Sequence, residues 1–107
     1  MKAVVCQTFG PVEDLSVQQM PDPVPGADEV LIDIASVGVN FPDALLVRGL
    51  YQVKPSFPFI PGIECAGTIA ALGKDVTTFA IGDRVAAMSP RFGTYAEAVV
   101  VPTSHVY

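Results

Sequence analysis

Hydrophobic positions along this chain recur with a period of two over short runs, and turn-forming residues interrupt them. Runs over residues 2–8, 64–72, 84–88 and 95–101 are rich in Val, Ile, Ala and Thr and, with the shorter run 15–19, read as strands. Over residues 29–39, Val30, Ile32 and Ile34 alternate with Leu31, Asp33 and Ala35, which predicts a strand largely buried on both faces. Gly10-Pro11, Gly73-Lys74-Asp75, Gly82-Asp83 and Pro90-Arg91-Phe92-Gly93 punctuate the runs. The stretch Pro21-Asp22-Pro23-Val24-Pro25-Gly26 lacks a backbone donor at three positions, so it is expected to be an extended surface connection. Many short strands with frequent turns predict a mainly β fold, a partly open β-barrel.

One segment breaks the alternation. Asn40 is expected to cap a short helix through its side-chain carbonyl, with Pro42 tolerated and Asp43 favoured in the first turn, and Gly49 ending it. Phe41, Leu45 and Leu46 are expected to anchor its apolar face. Gly62, Gly67, Gly73 and Gly82 read as positions of backbone geometry, where positive φ or close chain approach is needed.

Composition narrows the functional classes. A chain of 107 residues that is 50% hydrophobic supports one core, and its apolar surplus points to surface meant to be covered. The net charge of −5, with no cluster of Lys or Arg, removes the electrostatic basis for binding nucleic acid or an anionic membrane. No apolar run approaches the ~20 residues of a membrane span, and the start Met1-Lys2-Ala3-Val4-Val5 reads as a strand, so a cytoplasmic location is the expectation. Cys6 and Cys65 sit in apolar runs and are expected to be inert, reduced thiols. With one His they cannot form a four-ligand zinc site. His105 has no partner pattern.

Paired carboxylates at Asp43 and Glu64 suggest acid–base work, but a helix-start role for Asp43 and an internal ion pair for Glu64 are the favoured readings. The run Gly67 to Asp75 has the wrong glycine spacing for a phosphate loop. No Gly-x-Gly-x-x-Gly joins a strand to a helix.

Two motifs carry more. Ser36-Val37-Gly38-Val39-Asn40-Phe41-Pro42-Asp43, followed by Arg48-Gly49-Leu50-Tyr51, and Pro61-Gly62-Ile63-Glu64-Cys65-Ala66-Gly67, followed by Gly82-Asp83-Arg84-Val85, together resemble the amino-terminal GroES-like domain of medium-chain dehydrogenases/reductases. The branch they resemble is the zinc-free quinone oxidoreductases, similar to zeta-crystallin. The resemblance runs over residues 1–107, and it implies that the family's Rossmann cofactor domain would begin after Tyr107. Zinc-dependent relatives carry a cysteine at the place of Asn40 and a histidine at the place of Ile63. An amide is a poor zinc donor and an alkyl group is none, so no metal site is expected.

The resemblance further implies an NADPH-dependent reduction of a quinone or an activated alkene, with Asn40 and Tyr51 lining the pocket above the nicotinamide as catalytic and cofactor-binding residues. From the residues alone helix capping is the favoured role for Asn40, whereas for Tyr51 a loop-mouth position is an equal alternative. Some relatives show a tyrosine at the place of Leu45, which implies a less polar pocket here. The implied partners are a small quinone or enone and the Rossmann domain, and the assembly is compatible with a homodimer. Two other readings of the same barrel are a stand-alone GroES-like binding or assembly module, which expects a cyclic oligomer, and an inactive truncated remnant.

Overall fold

A computed structural model describes all 107 residues. Six strands form: β1 (Lys2–Val5), β2 (Ser16–Gln19), β3 (Glu29–Gly38), β4 (Glu64–Leu72), β5 (Arg84–Met88) and β6 (Ala98–Pro102). A single α-helix, α1 (Phe41–Arg48), joins them, with 3₁₀ turns at Val12–Asp14 and Thr103–His105. The strands make two antiparallel sheets, β1-β2 and β5-β4-β3-β6. The chain just before β6 stitches them together, since Val4 N–H donates to Tyr95 O (2.8 Å) and Glu97 N–H to Lys2 O (3.1 Å). The sheets do not close on each other, and the result is a mainly β, partly open GroES-like barrel.

The larger sheet holds the main core. Val30 and Ile32 of β3, Ile69 of β4, Val85 and Ala87 of β5, and Val99 and Val101 of β6 are buried together with Cys65 and Val106. A smaller cluster of Cys6, Leu46, Val47 and Phe59 seats the helix, with Phe9, Leu15, Tyr51 and Phe92 packed around it. The prolines of residues 21–26 lie at the surface outside any ladder. Both thiols are buried and free, and burial pushes both above the ordinary thiol range, which suits inert cysteines. No helix is long and apolar enough to cross a membrane.

β3 departs from the expected burial on both faces. Only its Val30 and Ile32 side is sealed, while Asp33, Ala35, Ser36 and Val37 are exposed. The cause is topological. β6 pairs with β3 only as far as Asp33, and two irregularities in the β3–β4 register, at Leu31/Ile32 and Ile34/Ser36, carry the far half of the strand beyond its cover.

Phe41 is a second departure, being 76% exposed rather than part of the helix's apolar face. The buried positions of α1 are Asp43, Leu46 and Val47. They are spaced i, i+3, i+4, and at ~100° per residue Phe41 falls roughly on the opposite side, with Leu45 half-buried between.

Ile69 is 2% exposed at the centre of the main core. Ile69→Val is expected to cost about 0.5–1.5 kcal/mol for one lost methyl group, measured as a lowered urea midpoint with an unchanged slope.

Candidate functional site

The two motifs meet at the amino-terminal end of α1. β3 delivers Asn40 in extended conformation (φ −121°, ψ 156°), so the helix begins at Phe41. Asn40 and Asp43 stand as a capping box, but only the Asp43 half closes with ordinary hydrogen-bond geometry: Asn40 N–H donates to Asp43 Oδ2 at 3.0 Å. Asp43 N–H returns to the backbone carbonyl of Asn40 at 3.0 Å. The Asn40 side chain makes no close cap bond; its Nδ2 faces Gly38 O at 3.5 Å. The expected cap is present as an arrangement, since the Asn40 side chain faces the Asp43 N–H in that box, but its short hydrogen bonds come from Asp43 and the main chain. Asp43 and main-chain atoms hold the helix start, and the Asn40 amide is left largely uncommitted.

At the other end Gly49 takes the left-handed conformation (φ 75°), and Leu50 N–H reaches Leu45 O at 2.9 Å. This is the glycine-terminated closure that the sequence predicts. Tyr51 follows directly. It is half-buried against the cluster around Leu46 and Val47, and its backbone carbonyl accepts from Lys54 Nζ at 3.3 Å. No contact joins Asn40 to Tyr51. They flank opposite ends of an eight-residue helix roughly 12 Å long and share no hydrogen bond.

The second motif packs beside the first. Gly62 has φ 105°, and a Cβ there would overlap Thr94 Oγ1 and crowd the Tyr95 ring. Only glycine lets the Pro61-Gly62-Ile63 turn lie this close. The turn is pinned by Tyr95 N–H to Pro61 O (3.0 Å) and Ser89 N–H to Ile63 O (2.6 Å).

Tyr95 then crosses to the helix, where its O–H donates to Asp43 Oδ2 at 2.7 Å. Asp43 is 4% exposed, and neither its Oδ1 nor the buried Thr94 Oγ1 has a protein partner. Burial, then the hydrogen bond to the Asp43 carboxylate and its charge, push the Tyr95 phenol well above the ordinary tyrosine range.

A phenol whose folded-state pKa exceeds its unfolded value near 10.0 stabilises the fold fully below that pH, and the contribution is lost as pH climbs past it. The stability gap between wild type and Tyr95→Phe is therefore expected to narrow above about pH 10, by up to ~1.4 kcal/mol per pH unit. Urea titrations of both proteins at stepped alkaline pH check this. A gap constant to about pH 11.5 would contradict it.

Glu64 corrects another expectation, because it has no ion pair. The two present are Met1 N-terminus–Asp22 and Arg91–Glu29. β-sheet register places Glu64 between Gly38 and Met88, with no basic neighbour across either ladder. Its carboxylate occupies the space a side chain at position 38 would need. Asp43 and Glu64 are not hydrogen-bonded to each other, so the acid–base pair does not form.

His105 contacts only Ser104, through its ring Nδ1 at 2.9 Å. No group of three His, Cys, Asp or Glu side chains is gathered anywhere in the fold. The part of this arrangement that the sequence hides is Tyr95. It lies 52 residues from Asp43, and nothing local in Thr94-Tyr95-Ala96 marks it.

Comparisons with known proteins agree with the fold. The family described as the alcohol dehydrogenase GroES-like domain matches residues 26–107. Human synaptic vesicle membrane protein VAT-1 homolog-like is 36% identical over 107 residues, which is 100% of this chain and 25% of that protein. Quinone oxidoreductase of Lama guanicoe is 38% identical over 108 residues, covering 100% of this chain and 33% of its own length. The crystal structure of the human VAT-1 homolog-like protein superposes with a TM-score of 0.95 over 100% of this chain and 34% of the other. Escherichia coli quinone oxidoreductase complexed with NADPH gives 0.94 at 25% identity, over 100% of this chain and 32% of the other. The chain thus spans a quarter to about a third of the length of these relatives.

Proposed function

Because the chain belongs to the alcohol dehydrogenase GroES-like domain family of the medium-chain dehydrogenase/reductase superfamily, we propose that it is the substrate-side domain of a zinc-independent, NADPH-dependent quinone or enone oxidoreductase. The observation that carries this reading is the similarity to a quinone oxidoreductase over the full length of the chain. A Rossmann cofactor domain is assigned to the complete enzyme, in the part of the relatives' length that this chain does not span.

The residues present fit the reactive end of the cofactor and not its phosphates. Asn40 offers an amide donor whose internal contact is long, and the only hydrogen bond at Tyr51 uses its backbone carbonyl, leaving the phenol free. The chain has one α-helix, and its start is occupied by the Asp43 carboxylate rather than by a glycine-rich cradle. Bound NADPH supplies the hydride in this reading.

The chain's own part is to place the acceptor and to receive charge. The Asn40 amide donates to the acceptor oxygen as negative charge develops there, and the Tyr51 phenol donates from the far side. Val39 and Phe41 flank Asn40 and Leu50 precedes Tyr51; exposed by 80%, 76% and 68%, they are apolar surface that a second domain would cover, excluding water.

Residue chemistry supports the zinc-independent part of this reading. Asn40 and Ile63 replace the ligands of zinc-dependent relatives, and no other ligand set is assembled. The test is a joined protein carrying this chain ahead of the cofactor-binding part of a quinone oxidoreductase. It should reduce a simple quinone with NADPH, be indifferent to chelator, and hold under roughly 0.1 zinc per chain after dialysis. Stoichiometric zinc whose removal stops turnover would sink the zinc-free reading.

A further inference from the structure

We infer that Tyr95 is a positioning residue for Asn40, acting through the carboxylate of Asp43. The inference rests on the assignment of Asn40 to the reaction site. A capping box by itself fixes a residue only relative to its own helix. Here the same atom, Asp43 Oδ2, accepts both the Asn40 N–H at 3.0 Å and the Tyr95 O–H at 2.7 Å. The phenol brings in the rest of the fold.

The Tyr95 main chain is anchored on both sides, its N–H on Pro61 O (3.0 Å) and its carbonyl on Val4 N–H (2.8 Å). Its ring lies against Gly62, where a Cβ would come within 2.6 Å of Cδ1. The Tyr95–Asp43 bond is the only side-chain hydrogen bond from α1 to a distant segment. The place from which Asn40 projects is therefore set by β1 and the Pro61-Gly62 turn through Tyr95 and Asp43. Removing the phenol oxygen breaks that chain at one link and leaves the ring to pack as before. A buried carboxylate that loses a donor is also free to re-aim, since its Oδ1 has no protein partner to hold it.

The experiment is amide hydrogen exchange by NMR on the 107-residue chain as wild type, Tyr95→Phe, Asp43→Asn and the double variant. Exchange at Asn40 is expected to rise about ten-fold or more in Tyr95→Phe, with Val30, Ile32 and Ile69 within about two-fold of wild type. In the double variant Asn40 should exchange no faster than in Asp43→Asn alone, because both changes cut one path. Unchanged exchange at Asn40 would overturn the inference. So would an equal rise at Val30, Ile32 and Ile69, which is the mark of a purely structural tyrosine.

If Asp43→Asn does not fold, the Tyr95→Phe comparison decides alone. In the joined enzyme, Tyr95→Phe should lower turnover less than Asn40→Ala and add no loss in the Asn40→Ala background; additive losses would place Tyr95 in another role. Full turnover by Asn40→Ala would remove the assignment of Asn40 while leaving the exchange result intact. The two failures are thereby told apart.

Discussion

The 107-residue chain by itself is expected to give no measurable quinone-dependent oxidation of NADPH, with activity arising only when the cofactor-binding part of a quinone oxidoreductase is supplied. Holding donor and acceptor in one geometry replaces a bimolecular encounter with an effectively unimolecular step, an advantage of roughly 10⁵ M or more in effective concentration. In the proposed enzyme this chain offers one wall of such a site. Asn40 and Tyr51 stand at the two ends of α1, whose start is occupied by the Asp43 carboxylate rather than by a glycine-rich cradle for a pyrophosphate.

Titration with NADPH, followed by nicotinamide fluorescence, should show no saturation in the micromolar range, and the loss of turnover relative to the joined enzyme should exceed about a thousand-fold. The apolar rim of Val39, Phe41 and Leu50, uncovered here, should meanwhile promote concentration-dependent association in sedimentation velocity runs. Micromolar binding and multiple turnovers from the homogeneous chain would defeat the division of labour proposed for it.

In the joined enzyme, Asn40→Ala is expected to lower turnover by about 10²-fold, as loss of a donor to a developing oxyanion does. Its cost in stability should stay below about 1 kcal/mol, the low end for a capping residue, because Asp43 and main-chain atoms make the bonds that close the helix start. Asn40→Asp keeps a helix-capping side chain but cannot donate, so it should lose turnover with little change in Tm. A wild-type rate for either well-folded variant would leave Asn40 with no part in the chemistry. The reverse pattern, a loss near 2 kcal/mol with turnover intact, would make it a structural cap.

Local signals survive in the structure wherever the physics is local. The Gly49 helix stop, the proline-rich surface connection and the strands at Glu64–Leu72 and Arg84–Met88 depend on backbone conformation and short-range alternation, and they stand where the sequence puts them. The errors at Phe41, at the far half of β3 and at Glu64 share a different cause. Each depends on what another segment covers or supplies: α1 turns Asp43, Leu46 and Val47 inward, β6 leaves β3 after Asp33, and no cation lies across from Glu64. Periodicity reports that a face exists and not how far its cover extends.

The sequence alone determines that this is a small, acidic, mainly β domain with one capped helix, and its two motifs determine its family, because those properties reside in residue type and spacing over a few positions. The geometry of the proposed site is a matter of tertiary structure. Asn40 sits in a capping box with Asp43, whose carboxylate also holds Tyr95, and Tyr95 is held in turn by Val4, Pro61 and Gly62. Those contacts join residues far apart along the chain, and hydrogen-bond geometry at such separations exists only once the sheets have packed.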